Sequence, residues 1–362
     1  MNIIIYAIAK NEKKFAERFM RSCAGADGVV VLDTGSTDGT PDALRALGAE
    51  VAVVELIPWR FDRARNFALS LVPAEADVCV ALDLDEVLCE GWREAIEAAW
   101  TEGVTRGRYE YVWSHTDAGG DGVVFLADKI HARYGYHWRY PVHETLCADW
   151  PETAARIPGL RIEHWPDAGK SRGSYLPLLE LAVREEPGND RHMHYLGREY
   201  FFHRRYGEAI ETLVRHIHMP TASWAAERAQ SMLYIGRCFE ALGDDWEAAQ
   251  WYIRAVGEDT TRREARFALA RLKYRTQDWR ACLDWARRTL EVTERDLSYM
   301  TEPEAWGAEP YDLAAIACWH LRRLEDAENY AETALYHAPE DARLQNNLRL
   351  IREAMSDGSR AD

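Results

Sequence analysis

The sequence predicts two domains of different class: an α/β domain with a mostly parallel sheet over residues 1–175, then an all-α domain of stacked helix pairs over residues 176–362. Three observations carry this. In the first half, short apolar runs alternate with amphipathic segments, the pattern of βαβ units. Three of those runs end in polar clusters: Asn11-Glu12, Asp33 to Asp38, and Asp83 to Glu86. From about Gly173 the chain reads as almost entirely helical, with small and aromatic residues at recurring offsets.

The elements follow in order. Residues 2–9 are an apolar strand and 13–23 a polar helix. Residues 28–32 form a second β-rich run, ending in Asp-Thr-Gly-Ser-Thr-Asp-Gly. Residues 41–47 read as a helix with Pro41 in its first turn, and Asp38 is placed to cap it. Residues 50–56 are a third strand, 61–71 a helix, and 77–82 a fourth strand running into Asp-Leu-Asp-Glu. In a Rossmann-like sheet of this kind, ligands bind beyond the carboxyl ends of the strands.

In the second half, four sets recur: Gly197, Tyr200, Ala209 and Leu213; Gly236, Phe239, Gly243, Ala248, Tyr252 and Ala255; Leu269, Leu272, Ala281 and Trp285; Ala315, Ala327, Ala331, Ala334 and Pro339. The anchoring residues Ala209, Ala248, Ala281 and Ala327 are 39, 33 and 46 residues apart. The sets resemble tetratricopeptide repeats, helix pairs of about 34 residues that stack through small side chains. A plain helical bundle is the alternative. The longer spacings imply insertions, one of them residues 293–309.

Composition narrows the class. Apolar residues are 47% and aromatic residues 11% of the chain, which excludes a disordered protein. Mean hydropathy is −0.41, and no run approaches the 18 or so apolar residues that cross a bilayer. The first residues, MNIIIYAIAKNE, lack a basic n-region and read as a strand, not a signal peptide. Seven scattered cysteines without a CxxC fit a reducing cytoplasm. The net charge of −16 disfavours a general nucleic-acid coat but leaves room for a local basic face.

The chemistry is concentrated in the first half. Val80-Ala81-Leu82-Asp83-Leu84-Asp85-Glu86 runs an apolar strand into three carboxylates. In an extended chain Asp83 and Asp85 share a side. Paired carboxylates call for a hard divalent cation such as Mg²⁺ or Mn²⁺, which commonly bridges to a diphosphate. A solvated acidic turn is the bland alternative. Asp33 closes the second strand, positioned for a hydrogen-bonding role. Arg65 suits diphosphate oxygens, or an ion pair with a nearby carboxylate.

Jointly, Ile8-Ala9-Lys10-Asn11-Glu12, Leu32-Asp33-Thr34-Gly35-Ser36-Thr37-Asp38-Gly39-Thr40, Phe61-Asp62-Arg63-Ala64-Arg65-Asn66, Leu82-Asp83-Leu84-Asp85-Glu86, Val142-His143-Glu144 and Ile162-Glu163-His164 resemble family 2 glycosyltransferases of the GT-A fold. With the C-terminal repeats, the order looks like the branch that includes the sublancin-type peptide S-glycosyltransferases. The resemblance implies a hexosyltransferase-class enzyme with a nucleotide-sugar donor, UDP-linked, a divalent metal (Mn²⁺ or Mg²⁺) and inversion at the anomeric carbon. It places Ala7, Ala9 and Glu12 where the nucleobase is held and Asp33 at the base or ribose. Arg65 and Asn66 fall where donor phosphates and sugar are oriented. Asp83 and Asp85 match the Asp-x-Asp pair, Asp85 being the direct metal ligand. His164 matches a metal-binding histidine, and Glu144 is the candidate base for the acceptor. The chain departs from the family in carrying Pro166 two positions after His164. His131 and His137 are weaker candidates.

For the acceptor, repeats of this type suggest a polypeptide side chain. The runner-up is DNA bearing a hydroxymethylated pyrimidine. From Arg262 to Arg288 nine basic residues face three acidic ones, interleaved with Tyr274, Trp279 and Trp285, and Arg198, Arg204 and Arg205 lie near His192, His194 and His203. The bland alternative pairs these arginines with carboxylates. A non-catalytic repeat scaffold that binds a nucleotide sugar is the third reading. The Trp-rich helices fit either a homodimer face or repeat packing.

Overall fold

The structure, a computed structural model, describes the chain except residues 116–118, 168, 170–172, 174, 297 and 359–362. It divides into two compact units, Met1–Ala182 with Leu297–Tyr299, and Val183–Asp296 with Met300–Asp362.

The first unit is built on β1 (Ile3–Ala9), β2 (Gly28–Asp33), β3 (Glu50–Val53) and β4 (Val78–Asp83), crossed by α1 (Lys13–Ser22), α2 (Thr40–Ala46) and α3 (Phe61–Leu71). The chain continues through β5 (Glu86–Leu88), α4 (Trp92–Ala99), β6 (Arg106–Val112), β7 (Val124–Ala132), β8 (Tyr136–Arg139), β9 (Thr145–Ala148), β10 (Ala154–His164) and α5 (Tyr175–Glu185). The main sheet runs β3-β2-β1-β4-β7-β6-β10-β5, and β8 pairs with β9 apart from it. Strands β1 to β4 are parallel. β7 is antiparallel to both β4 and β6, so the sheet is mixed beyond β4. β1, central and buried over all seven residues, is apolar on both faces, as a doubly covered parallel strand must be. Ile3, Ile5 and Ala7 pack with Phe15, Phe19 and Leu44. Ile4, Tyr6 and Ile8 pack with Ala64, Ala68 and Trp138. β3 stops at Val53, short of the apolar pattern that reaches residue 56. It is an edge strand paired only with β2, whose ladder ends at Asp33.

The second unit is helical: α6 (Asp190–Phe202), α7 (Tyr206–Ile217), α8 (Ala225–Ala241), α9 (Asp245–Glu258), α10 (Glu264–Arg275), α11 (Trp279–Leu290), a 3₁₀ turn at Pro303–Trp306, α12 (Glu309–His320), α13 (Leu324–His337) and α14 (Ala342–Gly358). Four pairs, α6/α7 to α12/α13, share one turn. Its central residue is left-handed in each: Arg204, Gly243, Gln277 and Arg322, with φ of 59°, 85°, 58° and 62°. The next N–H returns to a carbonyl five residues back each time, Arg205 to Tyr200, Asp244 to Phe239, Asp278 to Lys273 and Arg323 to Cys318, the Schellman closure of a helix. Small residues set the pair spacing: a Cβ on Gly197 would lie 2.4 Å from Leu213, and one on Gly236 2.3 Å from the Tyr252 ring. The architecture is thus an α/β unit with a mixed, mostly parallel sheet, followed by an all-helical tetratricopeptide-like unit.

Candidate active site

The parallel ladder brings the polar clusters to one edge. Ala9 pairs with Asp33, and Ile8 with Asp83. Ala7 and Ala9 turn their side chains into the core. The Ala9 carbonyl accepts from both the N–H (2.9 Å) and the hydroxyl (3.0 Å) of Thr34. Glu12, buried, opens α1 and donates its N–H to Thr40 Oγ1 at 2.9 Å. Asp33 is buried; its Oδ1 accepts from the N–H groups of Gly35 (3.0 Å) and Ser36 (2.8 Å), and its Oδ2 from the Ser36 hydroxyl (2.5 Å). It therefore shapes the loop after β2. Asp38 does not cap α2 as expected: the cap residue is Gly39, with no side-chain bond. Asp38 instead accepts from the N–H groups of Thr40 (2.9 Å) and Lys13 (3.1 Å), tying the starts of α1 and α2 together.

The Asp-x-Asp segment is not extended. Leu84 and Asp85 form a turn between β4 and β5, so the two aspartates meet different partners. Asp83 accepts two hydrogen bonds from Arg65 Nη2, at 2.8 and 3.1 Å. Arg65 donates Nε–H to Glu144 and lies 4.9 Å from the Trp138 ring centroid. Its side chain is only 5% exposed, because α3 presents it inward together with Ala64 and Ala68. Lys129 Nζ lies 3.5 Å from Asp83 and 3.0 Å from Glu86. Glu86 is wholly buried and also takes the Tyr111 hydroxyl at 2.6 Å and the Asp83 N–H at 3.0 Å. It is an internal hub, not a third carboxylate on the edge. Burial pushes the Asp83 carboxyl upward, but Arg65 and Lys129 outweigh it and hold the group well below the ordinary carboxylate range.

Asp85 meets His164. Their Oδ2 and Nε2 are 3.4 Å apart, and the Trp165 N–H fixes the Asp85 carbonyl at 2.8 Å. His164 Nδ1 donates to the Trp113 carbonyl at 2.9 Å, so the other ring nitrogen faces the carboxylate. Burial opposes protonation of His164, yet the hydrogen bond and charge of Asp85 lift its pKa above the ordinary value. The donor set fits a divalent cation. Among the described residues, Asp83, Glu86 and Glu144 pair with Arg65 and Lys129, and Asp85 adds a further carboxylate beside His164. An imidazole with its second nitrogen held by a carbonyl, beside a carboxylate, is a common metal-ligand arrangement.

Asn66 does not point its amide at this cluster. It accepts from the Trp138 N–H and donates to the Trp138 carbonyl, both at 2.8 Å, clamping β8 to α3. His131 is buried between the Tyr6 hydroxyl (2.9 Å) and the Ala132 carbonyl (2.8 Å), its pKa lowered to about 3 by burial. His137 pairs with Asp149 at 2.7 Å. Lys129, Tyr111 and Trp138 were not legible as site residues. For Lys129 the one available signal is a lysine beside Ile130 within a strand.

Residues 4–140 match the model of the family described as Glycosyl transferase family 2. The N-terminal unit carries a family 2 glycosyl transferase domain. Several solved structures are similar to part of this chain. The Cut9-Hcn1 hetero-tetramer of APC/C matches at 11% identity over 51% of this chain, with a TM-score of 0.40; the match spans 33% of that chain, a third of its length. The first TPR domain of human RPAP3 matches at 17% identity over 38% of this chain and 99% of that one, TM-score 0.32. YrrB, a TPR protein with an unusual peptide-binding site, matches at 14% identity over 48% and 81%, TM-score 0.36.

The basic stretch of the second unit is largely engaged internally. Arg262 pairs with Glu264 and Asp296, Arg275 with Glu240 and Asp245, and Arg288 with Asp284. Arg263 and Arg266 donate to backbone carbonyls, and Arg287 to the Tyr330 hydroxyl. Trp279 stacks on His320 at 3.7 Å, and Trp285 packs into the helical core. His192 and His194 are buried. Six of the nine basic residues from Arg262 to Arg288 are thus engaged within the unit, while Tyr274 stays exposed. No described helix is long and apolar enough to cross a membrane.

Proposed function

We propose that this protein is an inverting, metal-assisted glycosyltransferase that moves a sugar from a nucleotide-sugar, UDP-linked in the first instance, to a polypeptide side chain. The observation that carries this reading is the convergence of Asp83, Asp85, His164, Arg65 and Glu144 at the carboxyl edge of β4 in a family 2 domain. Asp85 and His164 would hold the cation, which supplies Lewis-acid neutralisation of the leaving diphosphate. Glu144 receives the proton of the acceptor hydroxyl or thiol as that atom bonds to the anomeric carbon. The bond from the anomeric carbon to the diphosphate oxygen breaks on the opposite face, and the nucleoside diphosphate departs with the electron pair. Arg65, buried between two carboxylates, acts as a positioning residue that fixes Glu144 against Asp83. The internal pairing of the arginines and the net charge of −16 favour a polypeptide over DNA. The test is nucleotide release from UDP-, GDP- and TDP-sugars with and without Mn²⁺, run with no acceptor, with peptides and with hydroxymethylcytosine DNA. Metal-dependent release stimulated by peptide is expected. Binding without release from any donor would favour the scaffold reading, and stimulation by DNA alone would overturn the acceptor.

A further inference from the structure

Asp190, His216 and Glu227 come from three helices of the second unit: the first residue of α6, the last turn of α7 and the first turn of α8. One potential ligand atom from each lies within 4.8 Å of the others. His216 is 0% and Glu227 4% exposed, while Asp190 is half-buried.

The hydrogen-bond pattern around His216 points to a ligand. Its Nδ1 lies 2.8 Å from Ser231 Oγ, which lies 2.7 Å from Nδ1 of His194. The serine has one proton, so it donates to one imidazole and accepts from the other. The serine allows two arrangements; in the one where His216 donates, the lone pair of its Nε2 faces Glu227. That Nε2 is buried and makes no hydrogen bond, although Glu227 Oε2 is 3.4 Å away. A lone pair against a carboxylate is repulsive unless a cation lies between. Two ligand atoms at about 2.1 Å from a tetrahedral metal are themselves about 3.4 Å apart, the separation found here.

We propose that Asp190, His216 and Glu227 form a metal site, outside the candidate active site, that takes one divalent transition cation of the Zn²⁺ type. The imidazole nitrogen selects against Mg²⁺ and Ca²⁺, which take oxygen. Two carboxylates balance the charge of the ion. Three protein ligands leave a fourth position for water. Ser231 is the positioning residue that orients His216. The site fastens α6, α7 and α8 where residues 218–224 lengthen the spacing between the first two helix pairs.

The experiment uses the full-length chain, stripped with chelator, in an Asp85→Asn background that weakens metal binding at the active-site edge. Zn²⁺ content is read by elemental analysis, Co²⁺ by its visible absorption, and stability by thermal melting. One tight Zn²⁺ per chain and a Zn²⁺-dependent rise in melting temperature are expected in that background. Adding Asp190→Asn should weaken Zn²⁺ at least about a hundredfold and remove the rise; Ser231→Ala should weaken it roughly 10–100-fold. Asp190 is half-buried, so its variant tests the site even where His216→Ala does not fold. Absence of stoichiometric Zn²⁺ in the Asp85→Asn protein, or affinity unchanged by both Asp190→Asn and Ser231→Ala, would overturn the proposal. Neither readout depends on sugar transfer, so its failure and that of the glycosyltransferase reading are separable.

Discussion

Replacing Arg65 by Met tests the core of the site. The guanidinium is 5% exposed and neutralises Asp83 and Glu144, whose side chains are 33% and 11% exposed. Removing one partner of a buried ion pair costs about 3–5 kcal/mol, because the other charge is left uncompensated. Asp83 keeps Lys129 at 3.5 Å and some access to water, so the lower end applies, about 3 kcal/mol. For a unit of this size that lowers the melting temperature by about 6–12 °C. The pH dependence has a definite sign. Burial raises the Asp83 pKa, but Arg65 and Lys129 overcome it and depress the folded value. A depressed folded pKa contributes stability that is present above the unfolded value, about 4, and is lost as pH falls through the folded pKa. The difference between wild type and Arg65→Met should therefore be largest near neutrality and shrink as pH falls below about 4. The assay is thermal melting from pH 3 to 8, followed on both proteins. A variant that melts within 2 °C of wild type at pH 7, or a gap that widens on acidification, would refute the reasoning.

Three further outcomes are expected. Glu144→Gln should keep nucleotide-sugar binding, measured calorimetrically, and lose roughly 10²–10⁴-fold in kcat; an active Gln variant means another base. His164→Ala should raise the Mn²⁺ needed for half-maximal turnover at least about tenfold, and an unchanged requirement removes His164 from the metal. Gly236→Ala should destabilise the helical unit: the new Cβ meets the Tyr252 ring at 2.3 Å, and about 3 kcal/mol of overpacking exceeds the roughly 1 kcal/mol gained in helix propensity. Unaltered melting would show that the ring yields freely.

What could be read from the sequence was local or periodic. β1, β2 and β4 announce themselves as apolar runs because both faces of a central parallel strand are covered, and the carboxylates that end them fall at one edge by topology alone. The helix pairs are legible because each needs a small residue where Gly197 and Gly236 meet Leu213 and Tyr252. Pairings across long separations were not legible. Nothing near Arg65 in the chain shows that it links Asp83 to Glu144, 79 residues away, nor that Lys129 reaches back to Glu86, 43 residues away. Glu86 read as an edge carboxylate because sequence shows charge and not direction; Tyr111 and the Asp83 N–H draw it inward. Nor does sequence show that Arg275 and Arg287 reach Glu240, Asp245 and Asp326.

One physical device recurs in the two units and leads to different expectations. His164 and His216 each have Nδ1 engaged, by the Trp113 carbonyl and the Ser231 hydroxyl, and each turns Nε2 toward a carboxylate 3.4 Å away. Around the first, the His164 and Asp85 side chains are 18% and 13% exposed at a strand end, suited to a cation that must meet an arriving diphosphate and tolerate its departure. Around the second, the His216 and Glu227 side chains are 0% and 5% exposed between helices, so exchange requires those helices to part. A metal shared equally between the two would contradict this. The strand-end site should equilibrate with chelator within mixing time, and the interhelical site only as fast as the helical unit opens. Measuring Co²⁺ loss to chelator in the wild-type chain, with Asp85→Asn and Asp190→Asn assigning the fast and slow phases, separates a working cation from a fastening one. A single fast phase removed by Asp85→Asn alone would leave the helical unit without its metal.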